Sequence, residues 1–167
     1  MLNRILYKPV SKYADNILSA ILLGRAEDLQ KNLTDFLMET CSYLTLTEEK
    51  DYQNIMIGLL ASMKRAYDIS LEKETGHGRA DIIMQPRLDI REKLPGIIIE
   101  LKHYSAAESG KDSPEKIKAA LEKQAYEAIK QIETKGYIAK MRSAGVHSVI
   151  RYGASFSGKY VVVKTAE

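Results

Sequence analysis

The chain has 167 residues, 45% of them hydrophobic and 28% charged, with a formal net charge of +3. That length suits one domain with a sizeable core, and no apolar run approaches the roughly 18 residues of a membrane span. The opening Met1-Leu2-Asn3-Arg4-Ile5-Leu6 is too short and interrupted for a signal peptide. The lone cysteine, Cys41, excludes an internal disulfide or a cysteine-rich zinc site, so a cytoplasmic protein with a buried thiol is expected. The mild positive charge permits a polyanionic partner without demanding one.

Residues 1 to 11 read as an irregular arm, with Pro9 breaking any early helix. A first helix is predicted from Tyr13 to Leu23, ended by Gly24, and a second from Ala26 to Leu44 with Leu29, Leu33, Phe36 and Leu37 at helical spacing. Thr45-Leu46-Thr47-Glu48 fits a capping box that opens a third helix running to Ala66. Its core stripe includes Tyr52, Met56, Leu59, Leu60 and Met63, and Glu49 falls on the inward edge of that stripe.

Beyond Arg65 the period becomes alternating. Strands are predicted over Tyr67 to Glu74, Arg79 to Gln85 and Gly96 to His103, the last with the continuous apolar run of a strand covered on both faces. A polar loop from Tyr104 to Asp112 precedes a long helix, capped by Ser113 with Pro114 at its first position and ending near Glu133. Two amides, Gln124 and Gln131, interrupt the apolar stripe of that helix. A short helix from Tyr137 to Ala144 and strands from Val146 to Phe156 and Tyr160 to Val163 complete the chain. A long helix after the third strand allows a crossover, hence an α/β mixed sheet with helices on both faces.

Chemistry concentrates where Gly78-Arg79-Ala80-Asp81 and Ile99-Glu100-Leu101-Lys102 end neighbouring strands. Glu100 and Lys102 share one face and Leu101 the other, while an antiparallel partner strand would set Asp81 beside Glu100. Two hard oxygen donors with open water positions suit Mg²⁺ or Mn²⁺, and a nearby ammonium can orient or deprotonate a water. Glu74, before the Gly76-His77-Gly78 turn, could lie beside Asp81 at the hairpin mouth or be a surface charge. Gly76-His77-Gly78 is no dinucleotide fingerprint, because a strand follows it, and Ser157-Gly158-Lys159 lacks P-loop spacing.

These residues resemble the PD-(D/E)XK nuclease superfamily, with Asp81 and Glu100-Leu101-Lys102 as its motif. The wider run Glu74-Thr75-Gly76-His77-Gly78-Arg79-Ala80-Asp81-Ile82, with Gln131-Ile132, Tyr137 and Gly153-Ala154-Ser155-Phe156-Ser157-Gly158-Lys159, is similar to a branch whose nuclease-like domain usually follows an ATPase-like domain. The resemblance implies a single restriction-endonuclease-like domain with a helical extension over residues 1 to 44 and a core over 45 to 164. It implies a metal held by Asp81, Glu100 and the carbonyl of Leu101, with Lys102 and Gln131 as further catalytic groups.

Glu49 resembles a carboxylate that relatives supply from the first core helix. Tyr137, in register with the family's tyrosine, is either a neighbour of phosphate or Lys102 or a core tyrosine. Where the family pattern has His after the tyrosine of the first core helix, this chain has Gln53. The function implied is a Mg²⁺- or Mn²⁺-dependent nuclease acting on nucleic acid, with DNA favoured. A nuclease-fold module that binds nucleic acid or a partner protein without cleaving is the competing reading. A homodimer and an ATPase-like domain or partner are the other associations the resemblance suggests.

Overall fold

A computed structural model of the chain describes residues 8–40, 46–73, 80–105 and 112–166. Two helices come first, α1 (Lys8–Leu22) and α2 (Ala26–Thr40). They are joined at Gly24, whose φ of 70° lets the Arg25 amide close on the Ala20 carbonyl at 3.0 Å. The expected start at Tyr13 is corrected: α1 begins at Lys8 and takes Pro9 into its first turn, where no amide donor is needed. Residues 41–45 lie outside the described residues, and with them the reading of Cys41 as a buried thiol.

Helix α3 (Glu49–Leu60) continues as a tighter turn over Ala61–Arg65. Its cap is three residues later than the sequence suggests. The Asp51 carboxylate accepts from the Thr47 and Glu48 amides, both at 3.0 Å, so donors that would otherwise be orphaned are satisfied from inside the first turn.

Strands β1 (Tyr67–Lys73), β2 (Ala80–Pro86) and β3 (Gly96–His103) are followed by α4 (Pro114–Thr134), α5 (Tyr137–Ser143), β4 (Val149–Ser157) and β5 (Tyr160–Ala166). They build one sheet in the order β1-β2-β3-β4-β5. All neighbours are antiparallel except β3 and β4, and the α4–α5 crossover supplies the return that a parallel pair requires. The α/β mixed sheet covered by helices on both faces is therefore as the sequence implied. β4 starts at Val149 rather than Val146, whose side chain instead packs in an apolar cluster with Met141 and Ile98.

One sheet face carries Ile82, Met84, Ile97, Ile99, Leu101, Tyr152 and Phe156 into a core shared with Ile17 and Ile21 of α1, Leu29 and Leu33 of α2, and Tyr52 and Met56 of α3. The opposite face lies under α4 and α5, and two glycines set how closely these helices approach. A Cβ on Gly153 would stand 2.0 Å from the Ala125 carbonyl oxygen, and one on Gly96 would stand 2.5 Å from the Met141 sulfur. The bare backbone at Gly153 lets α4 rest directly on β4, beside the register position of Glu100.

Candidate active site

Glu100 is fully buried on β3, a position a carboxylate keeps only with compensating charge or hydrogen bonds. Lys102, on the same face, is nearly as buried and donates through Nζ to Gln131 Oε1 of α4. The same ammonium stands 3.5 Å from Glu100 Oε1. Gln131 thus comes to Lys102 from the apolar stripe of α4. Gln124, one helical segment earlier, accepts from the Ser155 hydroxyl at 2.7 Å and so satisfies a fully buried β4 residue paired in register with Lys102.

A second ammonium escapes the sequence reading. Lys135 caps the C-terminus of α4 and holds Glu100 Oε2 at 3.1 Å, with its side chain only 12% exposed. Gly136, at φ 71°, ends the helix there, and the negative end of the helix dipole favours a cation at that point. The signal that could have found Lys135 is its spacing: one helical turn beyond Gln131 places both on one face.

Asp81 is the register partner of Glu100, which puts their Cα atoms opposite one another across β2 and β3. On its other side Asp81 pairs with Glu72 of β1. Three acidic residues therefore occupy one rung of adjacent strands. The sequence pointed to Glu74 for the place beside Asp81; Glu74 and His77 lie outside the described residues. Glu72 was missed because hairpin register depends on the length of a turn that the sequence does not fix.

The remaining sequence candidates spread around this point. Glu49 is the half-buried first residue of α3. The Tyr52 ring of that helix stacks on Phe156 at 4.4 Å and lies 5.7 Å from His103, so the start of α3 sits at the C-terminal ends of β3 and β4. Tyr137 lines a pocket of ≈ 140 Å³ with Ser70, Ile83, Gln85 and Lys140, and packs on the cluster that contains Ile98. Leu101 turns its side chain into the apolar core of the other face, leaving only its main chain for the site. His147 is exposed.

Two buried side-chain atoms among the described residues have no hydrogen-bond partner, Gln53 Nε2 and Glu100 Oε1. The second bears on a metal. Among residues whose side chains are described, no three of His, Cys, Asp and Glu gather together. A buried carboxylate oxygen that accepts no hydrogen bond, register-paired with a second acidic residue, nevertheless fits a hard cation. Mg²⁺ is commonly held by one or two carboxylates and keeps its other positions for water and phosphate.

Fold and site together define a class: a mixed sheet of the restriction-endonuclease kind, with an acidic residue on one strand paired in register with the Glu of Glu-x-Lys on the next. Residues 47–166 match the family described as the PD-(D/E)XK nuclease superfamily, and the chain belongs to that superfamily. Comparisons with curated proteins and with solved structures give no match. The match begins within the turn before α3 and runs to the end of β5, so it contains every residue of the site.

Proposed function

We propose that this chain is a divalent-metal-dependent nuclease that hydrolyses phosphodiester bonds, with DNA as substrate and Mg²⁺ or Mn²⁺ as the metal. The observation that carries the reading is Glu100: fully buried, with Oε1 accepting no hydrogen bond, beside Lys102 and level with Asp81. Asp81, Glu100 and the Leu101 carbonyl would hold the ion. When bound, a divalent cation supplies positive charge that acidifies a coordinated water and offsets the charge growing on the phosphate.

The protein groups do the positioning. Gln131 Oε1 fixes the Lys102 ammonium, which then has a proton to give toward a phosphate oxygen and a dipole to orient the attacking water. Glu100 lies in a closed layer between β3 and α4, where few waters compete for its charge. An ATPase-like partner and a two-site dimer for cutting both strands of a duplex extend the same proposal.

The test is cleavage. Linear duplex, circular duplex and single-stranded DNA, and RNA, are incubated with the protein in Mg²⁺ or Mn²⁺, alongside Asp81→Ala and Lys102→Ala. Cleavage by the wild type, lost in both variants, is expected. No cleavage of any substrate, together with no heat of metal binding by calorimetry, would sink the reading and favour a binding module.

A further inference from the structure

A hollow of ≈ 140 Å³ opens beside the site, between the first two strands and α5. Its strand wall carries two register pairs of β1 and β2, Asp68 with Gln85 and Ser70 with Ile83. The next pair in that alternation is Glu72 with Asp81, so Ile83 follows the proposed metal ligand by two residues, about 7 Å at the rise of a strand. α5 supplies the other wall with Tyr137, Lys140 and Met141, and it starts just beyond Lys135, which bonds Glu100. Both walls thus lead to the buried carboxylate.

Size and lining select the occupant. Small-molecule sites commonly enclose about 300–1,000 Å³, so this smaller hollow takes a single ring system. Ile83 and Met141 are buried and make its apolar floor. Tyr137 adds an aromatic side chain, while Ser70 and Gln85 each bring a donor and an acceptor. The Asp68 carboxylate lines the same hollow and disfavours a phosphate inside it, whereas the exposed Lys140 suits a phosphate just outside. A flat ring with apolar faces, a hydrogen-bonding edge and a phosphate alongside is one nucleotide of a strand.

We propose that this hollow holds the unstacked base of the nucleotide beside the scissile phosphate, with Gln85 and Ser70 reading its edge and Lys140 on the adjoining phosphate; this rests on the nuclease reading above. A base inside a stacked duplex cannot enter, so the strand is unpaired at that point. The Gln85 amide carries its donor and acceptor in one plane, the arrangement that pairs with a base edge and tells one base from another.

Two experiments test this. Single-stranded DNA of random sequence is cut in Mn²⁺ and the new ends are sequenced. A preference of about tenfold for one base is expected at one position next to the cut. Gln85→Leu, similar in size but without the amide, removes that preference, while Lys140→Ala keeps it, raises KM and lowers the salt dependence by about one phosphate contact. Binding is followed separately by anisotropy in Mn²⁺, in a Lys102→Met background that blocks turnover. A labelled single strand binds about tenfold more tightly than its fully abasic copy, and adding Ser70→Trp, whose indole fills the hollow, closes most of that gap.

Cleavage with no base preference at any position, or with one that Gln85→Leu leaves intact, overturns the inference. So does equal affinity of the Lys102→Met protein for the normal and abasic strands. A wild type that cuts no strand, while the base-dependent binding and its loss in Ser70→Trp persist, overturns the nuclease reading and leaves the base-binding hollow standing.

Discussion

On one face of β3, Ile97, Ile99 and Leu101 meet α1, α2 and α3 across the sheet; on the other, Ile98, Glu100 and Lys102 lie under α4 and α5. The buried phenols of one face and the buried carboxylate of the other differ in how they are satisfied. In the apolar layer each large buried phenol is paired: Tyr52 to the Gly158 carbonyl, Tyr67 to the Pro95 carbonyl and Tyr152 to the Ile21 carbonyl, at 2.8, 2.9 and 2.8 Å. On the other face a fully buried carboxylate keeps one oxygen without a donor. A strand can therefore spend alternate residues on stability and on chemistry, and substitutions a single residue apart should separate the two.

The largest effect expected is Leu101→Ala, which empties a fully buried place in the main core and lowers unfolding stability by about 2–5 kcal/mol in urea titration. Its neighbour Lys102→Met retains the stem and removes the ammonium. Stability should fall by less than in Leu101→Ala, because the Lys135 ammonium still compensates Glu100, while any cleavage falls to background. If Lys102→Met unfolds the protein as readily as Leu101→Ala, the division of labour between the faces is wrong.

Gly153→Ala probes the link between the faces. The added methyl meets the Ala125 carbonyl, so α4 must lift or β4 must shift, at a cost of about 1–3 kcal/mol. Because α4 carries Gln131 and ends at Lys135, the same shift loosens the contacts to Lys102 and Glu100, and activity should fall further than in a variant of matched stability on the α1–α3 side. Wild-type melting temperature and activity in Gly153→Ala would show that the close approach of α4 positions nothing.

What the sequence revealed follows the same division. β3 was read with its full bounds because Pro95-Gly96 marks its start and the apolar run has the length of a buried strand. The amides at Gln124 and Gln131 stood out as polar interruptions of a helical stripe, and both have partners on the sheet. The misses were matters of position along an element. Pro9 looked like a breaker but sits in a first turn, and the α3 cap moved to Glu48 because the Asp51 carboxylate, three residues on, reaches two amides. Lys135 was passed over because a lysine at a helix end ordinarily faces water. Only the descent of α4 onto Gly153 brings that end within reach of Glu100, and a close approach between distant segments leaves little local trace.

The smallest effect lies in the apolar layer and depends on pH. Burial pushes the Tyr67 phenol up to about 12, from an ordinary 10.0. Because the folded value is raised, its contribution to stability is fully present below pH 10 and is lost as the pH climbs toward 12, where the unfolded chain has released a proton that the folded one retains. Within that window the loss is about 1.4 kcal/mol per pH unit for the single proton. Tyr67→Phe gives up the bond to Pro95, at a cost of about 1 kcal/mol near neutrality, but has no phenol to ionise. Denaturant titrations of the two proteins across alkaline pH should therefore cross inside the window, with the variant the less stable below it and the more stable near its top. Parallel curves would mean that the Tyr67 phenol ionises as easily in the folded protein as in the unfolded chain, and that the apolar face is wetter than its packing implies.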